Sequence, residues 1–459
     1  MGPPRHRSAC RPNAFSSALS ALGAGIGAAM VLGCGMASGD EPPGGVGILW
    51  RDPSPDWHIH GQSTAIGQGY PAFAAPYDGP NSLPRGGRLR ETISVDLIAG
   101  ARLWRGGEAH MDTLVWQGFG VGRTLGAGGF PNGEAFKVGT KPPNVNLSRL
   151  FLRQTFDLGG KTEDVADSDF TFAGTRDTSR LTFTAGRFSA KDVFDGNAFA
   201  NDARTQFLNW SLMGNGAWDF PADALGYIPG ATAEWTQSRW SARAGYFAVV
   251  REPNGLGVEW SLLRAGSAVM ELEHRHRLGE RAGAARFLVF LTRARSGLYQ
   301  DAINGAPSIA ATRDYREKKG IGLSLDQELT STLGAFLRAG WNDGQTETWM
   351  FTEIDRTLTT GLSLRGEWWH RANDTFAFAH ALNDISGAHS RYLASGGTGI
   401  IIGDGALRHG AEHVLEAYYD CALRPWLHAT LDYQCVVHPA YNRDRGPVSL
   451  IALRMRANF

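Results

Sequence analysis

Alternation of apolar and polar residues recurs along nearly the whole chain and constrains the fold more than any other feature. Over 92–97 the odd positions are apolar and the even positions polar, and 181–185, 321–326 and 427–433 alternate in the same way. The stretch 362–368 also alternates, with the parity reversed. Strict alternation with a period of two indicates strands that have one apolar and one polar face. Breaks rich in Gly, Asn, Asp and Pro separate these stretches and indicate turns. We therefore predict an all-β, antiparallel chain.

Two architectures accommodate such strands: a soluble sandwich with apolar faces packed inside, and a membrane barrel with its apolar face in lipid. The sequence over 56–459 shows no shift in composition, and no apolar run after residue 40 approaches the roughly 18 residues of a membrane helix. Charges of both signs share one parity of one segment, as at Glu271, Glu273 and Arg275. These features favour a single transmembrane antiparallel β-barrel of the outer-membrane type, surrounded by outer-membrane lipids. Because a spanning strand takes about 9–11 residues, the length predicts sixteen strands.

The N-terminus has the composition of a secretory signal. Three arginines within the first eleven residues precede a charge-free run of small and apolar residues over 14–37. This order predicts a cleaved signal peptide over 1–39. A short N-terminal extension over 40–55 and the barrel domain over 56–459 would follow it. An alternative interpretation of the same segment is a lipoprotein cleavage box that ends at Cys34. Both interpretations predict an exported protein.

The chain ends on Phe459, and counting back by twos gives Ala457, Met455, Leu453 and Ile451, which are all apolar. A terminal Phe behind an alternating apolar stripe resembles the C-terminal signal of bacterial outer-membrane barrels. The resemblance implies that the outer-membrane barrel assembly machinery recognises this segment.

Charge and cysteine content exclude other classes of protein. Lys+Arg and Asp+Glu are equal at 45 each, so no basic surplus would attract nucleic acid. The segments around Cys421 and Cys435 resemble neighbouring strands joined near 424–425. A hairpin turning there sets Cys421 opposite a residue near 429, too far from Cys435 for a disulfide.

Several blocks, in their order and spacing, resemble the bacterial carbohydrate-selective porins of the OprB type, and the resemblance covers nearly the whole mature chain. The most specific block, 186–220, reads GRFSAKDVFDGNAFANDARTQFLNWSLMGNGAWDF. Further blocks lie at 57–62, 76–83, 129–135, 271–273, 432–434 and 441–448. At 201–204 the chain has NDAR where the family usually has HDPR, which puts fine selectivity in doubt. The resemblance implies a water-filled outer-membrane channel that lets carbohydrates, glucose-type mono- and small oligosaccharides, diffuse passively into the periplasm.

Candidate pore-lining residues follow from parity and from the long block, whose polar residues crowd a Gly- and Asn-rich segment. Such a segment could fold into the barrel and narrow it. Arg187 opens the block but does not continue the polar parity of its strand. Trp210 and Trp218 could stack on sugar rings or anchor the barrel at the membrane interface. The pore-lining candidates are Arg187, Lys191, Asp192, Asp195, Asp202, Arg204, Trp210, Glu271, Glu273, Arg365 and Glu367. An alternative role for the charged ones is ion pairing that stiffens the wall.

No motif for catalysis, a cofactor or a metal is found. His409 and His413 are four residues apart, but on a strand they would lie about 13 Å from each other. We therefore predict no enzyme activity, no cofactor and no metal site. The alternatives that stay open are a general or organic-acid outer-membrane channel and an exported sugar-binding or sugar-hydrolysing β-sandwich.

Overall fold

The computed structural model describes residues 56–135, 139–305 and 308–459. The predicted signal peptide, the extension over 40–55 and the alternative lipidation at Cys34 lie outside these described residues. Among the described residues, no helix is both long enough and apolar enough to cross a membrane.

Sixteen antiparallel strands form one closed barrel, in which each strand pairs with its neighbours in the sequence and the last pairs with the first. The strands are β1 (Trp57–Tyr70), β2 (Arg88–Trp104), β3 (Gly107–Gly118), β4 (Thr140–Asp157), β5 (Ser179–Phe188), β6 (Ile228–Gln237), β7 (Trp240–Phe247), β8 (Gly266–Leu278), β9 (Arg281–Ser296), β10 (Asp314–Glu328), β11 (Leu333–Asn342), β12 (Arg356–Gly366), β13 (Arg371–Asp384), β14 (Glu412–Arg424), β15 (Leu427–Val437) and β16 (Val448–Asn458). The predicted fold class and strand number are confirmed.

Short elements occupy the connections. The helices are α1 (Trp210–Met213), α2 (Tyr299–Ile303) and α3 (Gly387–Ala394), and 3-10 turns lie at Val121–Thr124, Ala190–Asp192, Ile309–Thr312, Glu367–Trp369 and Pro439–Tyr441. Two small ribbons pair Thr162–Val165 with Gly174–Asp177 and Val249–Val250 with Val258–Glu259.

The barrel closes where β16 pairs with β1, with Ser63 opposite Ala457. Beyond the last pair, Gly61 and Phe459 exchange two backbone hydrogen bonds of 2.6 and 2.8 Å. A Cβ at position 61 would lie 2.1 Å from the Phe459 ring, so glycine is what lets that ring cross the seam. Closure leaves no free sheet edge, which a barrel in lipid requires.

The polarity of the two barrel faces is the reverse of that in a soluble protein. Outward-facing Leu97 and Leu453 are 51% and 39% exposed, whereas their inward-facing neighbours Asp96 and Arg454 are at most 1% exposed. Apolar side chains on the outside and buried charges on the inside match a barrel in lipid. The alternative of a soluble sandwich is therefore wrong.

The two ends of the barrel differ in their connections. At one end, called here the short-turn end, six connections have two to four residues, while 158–178 is much longer. At the other end, the long-loop end, the connections include 189–227 and 385–411. Exposed tryptophans lie near the short-turn end at Trp104, Trp235 and Trp368, as in the interfacial aromatic girdles of outer-membrane barrels.

The outward polarity predicts the effect of a charge on this face. Leu431 lies near the middle of β15 and is 60% exposed. We expect Leu431→Arg to lower the free energy of unfolding in a bilayer by about 2–4 kcal/mol, because a cation at mid-depth loses its hydration. Urea titration in lipid vesicles measures this, with Leu431→Ala as the control for lost apolar contact. Equal stability of the two variants would show that this face does not meet lipid.

Candidate functional site in the barrel lumen

Residues 189–227, which join β5 to β6, fold into the barrel and are called here the inward loop. Wall side chains from strands around the barrel bind its backbone. Glu271 on β8 accepts the backbone N–H of Asp195 at 2.7 Å, and Arg454 on β16 donates to the carbonyls of Ala203 and Gln206 at 2.6 and 2.7 Å. Because these anchors belong to distant strands, the loop crosses the lumen and narrows it.

Arg338 on β11 is the most extensive of these anchors. Its side chain is fully buried, with Nε 3.2 Å from Asp195 Oδ1 and Nη2 donating to the Asp195 carbonyl at 3.0 Å. Nη1 donates to the carbonyls of Ala200 and Leu212. The rigid planar guanidinium thus joins three points of the inward loop at once.

Two carboxylates of β14 hold a second loop beside the first. Glu412 accepts backbone N–H groups from Gly128 at 3.0 Å, Gly129 at 2.7 Å and Ala440 at 2.8 Å, while Glu416 accepts from Asn209 at 2.9 Å. Residues 119–135 of the β3–β4 connection therefore pack against the inward loop on this side of the lumen. Because the barrel and its loops exclude water here, each buried carboxylate requires hydrogen-bond donors from the protein.

On the opposite side, wall and loop charges pair with each other rather than with loop backbone. Arg149 on β4 lies 2.7 Å from both Asp112 and Asp192, and Arg204 of the inward loop lies 2.9 Å from both Asp96 and Glu134. The arginine side chains keep 14% and 17% of their surface exposed. Together with Tyr227, we call these residues the polar cluster: Asp96, Asp112, Glu134, Arg149, Asp192, Arg204 and Tyr227.

Aromatic rings lie directly beside the polar cluster. The Arg149 guanidinium lies 4.8 Å from the Phe170 ring centre and 4.9 Å from that of Tyr227. Burial raises the pKa of the Tyr227 hydroxyl, although Arg149 and Arg204 oppose the rise. The hydroxyl therefore stays protonated at neutral pH and can donate a hydrogen bond.

A cavity of about 390 Å³ opens next to the cluster, between the inward loop and the connection 158–178. Its lining combines charged and aromatic side chains, among them Arg153, Asp169, Asp192, Phe151 and Phe170. Small-molecule sites have this mixture and volumes of about 300–1,000 Å³. The cavity and the polar cluster form the candidate site.

The loop candidates from the sequence divide into anchors and cluster members. Asp192 and Arg204 belong to the polar cluster, and Asp202 accepts the Arg204 N–H at 2.9 Å. Asp195 is buried and Lys191 is partly buried within the loop, where Lys191 Nζ donates to the Met213 carbonyl at 3.1 Å.

The other candidates lie elsewhere. Trp210 is buried against Phe130 with ring centres 5.2 Å apart, and Trp218 is likewise buried, so neither lies at the membrane interface or on the open surface of the cavity. Arg187 has the outward parity of β5 and bonds Asp223 at 2.6 Å near the long-loop end.

Glu271 and Glu273 belong to a ladder of opposite charges along the inner wall. Arg243 of β7 contacts Glu234 of β6 and lies 2.7 Å from Glu271 and 3.2 Å from Glu273. Arg286 of β9 continues the ladder 2.8 Å from Glu273. The ladder matches the alternative role of ion pairs that stiffen the wall.

Of the two candidates near the end of β12, Arg365 is an exposed residue of inward parity, but Glu367 lies beyond the strand in the turn Glu367–Trp369. The alternation in the sequence continues past Gly366, where the strand ends. Glu367 is therefore not on the barrel wall.

The sequence analysis did not single out Arg149, because a β-bulge reverses its parity. Asp112 pairs with Arg149 and Thr113 with Leu147, so Ser148 is an extra residue in β4. Leu147 and Leu150 both face outward while Arg149 turns into the lumen. A bulge re-aims a side chain in this way. Asp96, by contrast, lies on the polar parity of 92–97, so the alternation alone could have identified it as a lumen residue.

The anchoring role of Arg338 can be tested. We expect Arg338→Ala to destabilise the inward loop by about 3–5 kcal/mol. The variant leaves the buried Asp195 carboxylate with Lys191 as its remaining cation, 3.4 Å away, and removes the donors to three loop carbonyls. Limited chymotrypsin digestion of the folded protein should then cut between Phe194 and Phe207. Arg365→Ala, which removes an exposed arginine of the same face, should leave the loop resistant. Resistance in both variants would contradict the anchoring role.

Residues 81–459 match the family described as carbohydrate-selective porin, OprB family. No curated protein matches the chain. Among solved structures, the high-pH structure of Pseudomonas putida OprB is 15% identical with a TM-score of 0.67, covering 88% of this chain and 94% of that one. The outer-membrane channel DcaP of Acinetobacter baumannii is 10% identical with a TM-score of 0.48, covering 88% and 97%.

The first of these structures shares the fold of the barrel described here. The family match extends over most of the strands, both loops that occupy the lumen, and the C-terminal residue. Proteins of this family are channels rather than enzymes. This chain belongs to the carbohydrate-selective porin family of the OprB type and is a carbohydrate porin of the bacterial outer membrane.

Proposed function

We propose that glucose-type monosaccharides and small oligosaccharides pass the inward loop along the polar cluster and are selected there. The observation that carries the proposal is the pairing of each cluster arginine with two carboxylates, next to the half-buried ring of Phe170. Asp192 and Arg204 of the original candidates keep a pore-lining role, and Asp202 supports Arg204. Lys191, Asp195 and Glu271 act instead as anchors of the loop.

The chemistry of the cluster suits a neutral sugar. Sugar hydroxyls both donate and accept, so they can bridge guanidinium donors and carboxylate acceptors. The apolar face of a sugar ring can lie against the Phe170 ring, which lines the cavity. Conduction also requires that each contact be weak. Ion pairing weakens each hydrogen bond to the sugar, because every charged group of the cluster already has a protein partner and must share its donors or acceptors with the sugar hydroxyl.

A general or organic-acid channel is the competing function. An organic-acid channel needs a net positive constriction. Here Arg149 faces Asp112 and Asp192, and Arg204 faces Asp96 and Glu134, so the four carboxylates outnumber the two arginines. This balance opposes anion selection and supports the carbohydrate proposal.

Two further partners belong to the proposal. The apolar outer face, exemplified by Leu431 and Ile451, would contact outer-membrane lipids. Phe459 and the outward stripe of β16 would be recognised by the barrel assembly machinery during insertion.

Liposome swelling tests the substrate class. Vesicles containing the refolded protein are placed in glucose, in a disaccharide, and in neutral amino acids of matching size. We expect sugars to enter faster than amino acids of equal size, because only sugars offer many hydroxyls to the cluster. Rates that follow size alone would identify a general channel, and faster entry of organic acids would identify an anion channel.

Replacement of Arg149 tests the location of selectivity. A hydrogen bond to a charged group contributes about 1.5–3 kcal/mol, so Arg149→Gln should raise the sugar concentration that half-blocks the ion current roughly ten-fold. The variant also leaves Asp112 and Asp192 without their shared cation. The reversal potential in a KCl gradient should therefore shift toward cation selectivity.

Arg365→Gln is the matched control, because it removes an arginine of inward parity outside the cluster. It should keep the sugar block of the parent. Parental sugar block and parental reversal potential in folded Arg149→Gln would refute the placement of selectivity at the cluster.

A further inference from the structure

The connection 158–178 between β4 and β5 is far longer than the other connections at the short-turn end and folds back against the inner wall. We call it the hairpin. Arg153 of β4 donates to the Phe170 carbonyl at 2.6 Å, and Arg102 of β2 donates to the Ala173 carbonyl at 2.9 Å. The Phe172 ring stacks on the imidazole of His58, with ring centres 4.1 Å apart. The hairpin therefore covers part of the lumen at the short-turn end of the barrel.

Two histidines of β1 and one carboxylate of the hairpin meet at this contact. His58 and His60 are two residues apart on a strand, so both project from the same inward face. His58 Nδ1 lies 3.1 Å from Asp167 Oδ1, and His60 Nε2 lies 2.9 Å from Asp167 Oδ2. One donor atom from each of the three residues lies within 4.8 Å of the other two.

The strand neighbours leave room for this arrangement. His58 pairs with Gly100 on β2, and Gly100 pairs with His110 on β3. A Cβ at position 100 would lie 2.2 Å from His58 Nε2 and 3.1 Å from His110 Nδ1. Because Gly100 has no side chain, the space between His58 and His110 stays free for their two imidazoles.

Hydrogen bonding alone does not account for the three groups. His60 Nε2 is buried and 2.9 Å from a carboxylate oxygen, yet it is not aligned for a hydrogen bond with it. A cation between the donors would use that nitrogen directly. Two imidazoles and one carboxylate are a donor set that binds Zn²⁺ and related first-row metals, with the remaining position open to water.

We propose that His58, His60 and Asp167 form a binding site for a divalent transition metal of the Zn²⁺ class, which fastens the hairpin to β1. Zn–N and Zn–O distances of about 2.1 Å place tetrahedral ligands roughly 3.4 Å apart, so the donors need only small shifts to bind. No sequence motif marks the site, because Asp167 lies 109 residues beyond His58. The site is independent of the sugar proposal.

Cobalt and zinc titrations of the full folded protein test the site. The protein is purified without a polyhistidine tag, and Co²⁺ is added while visible absorption is followed. We expect one Co²⁺ per chain with the intense d–d bands of a four-coordinate site, displaced by Zn²⁺ and removed by a chelator. Loss of an outer-shell partner weakens metal binding about 10–100-fold. His60→Ala and Asp167→Asn each remove a direct ligand, so each should weaken Co²⁺ binding by more than that.

Asp169→Asn is the matched control, because it removes the same charge from the same hairpin outside the three-residue set. It should bind Co²⁺ as the parent does. Heat-modifiable gel mobility shows that each variant is folded. No d–d bands in the folded parent, or equal binding by the parent and His60→Ala, would overturn the proposal.

Discussion

Charges on the inner face of a closed barrel must find protein partners wherever loops exclude water, and the organisation of this molecule depends on that requirement. Arg338, Arg454, Glu412 and Glu416 project from three strands and bind the backbone of the loops. A buried charge without a partner would cost several kcal/mol. The wall charges therefore determine where the inward loop lies.

The other side of the lumen satisfies its charges differently. Arg149 and Arg204 are shared between carboxylates of the wall and of the loops, whereas Arg243 and Arg286 of the ladder across β6–β10 are shared between carboxylates of the wall. Pairs of this kind leave hydrogen-bonding capacity at the surface, and in the polar cluster the carboxylates outnumber the arginines. A neutral solute can use that capacity, whereas a small anion gains little from it. Anchoring on one side and selection on the other thus use the same residue types.

The sequence was informative wherever alternation was unbroken. The turn predicted at 424–425 placed Cys421 opposite a residue near 429. In the structure Cys421 of β14 pairs with Ala429 of β15. Parity failed at two places for local reasons. The extra residue Ser148 turns Arg149 inward, and β12 ends before Glu367. A single inserted or unpaired residue reverses every later assignment, and alternation carries no mark of it.

The sequence by itself determined the export signal prediction, the sixteen-stranded barrel, the family and the presence of a polar loop between β5 and β6. These properties depend on local periodicity and on contiguous blocks. The tertiary structure alone decided which charges anchor and which face the lumen. Arg204 meets Asp96, and His58 meets Asp167, across more than a hundred residues of chain. Such pairs exist only because closure of the barrel brings distant strands and loops into one enclosed space.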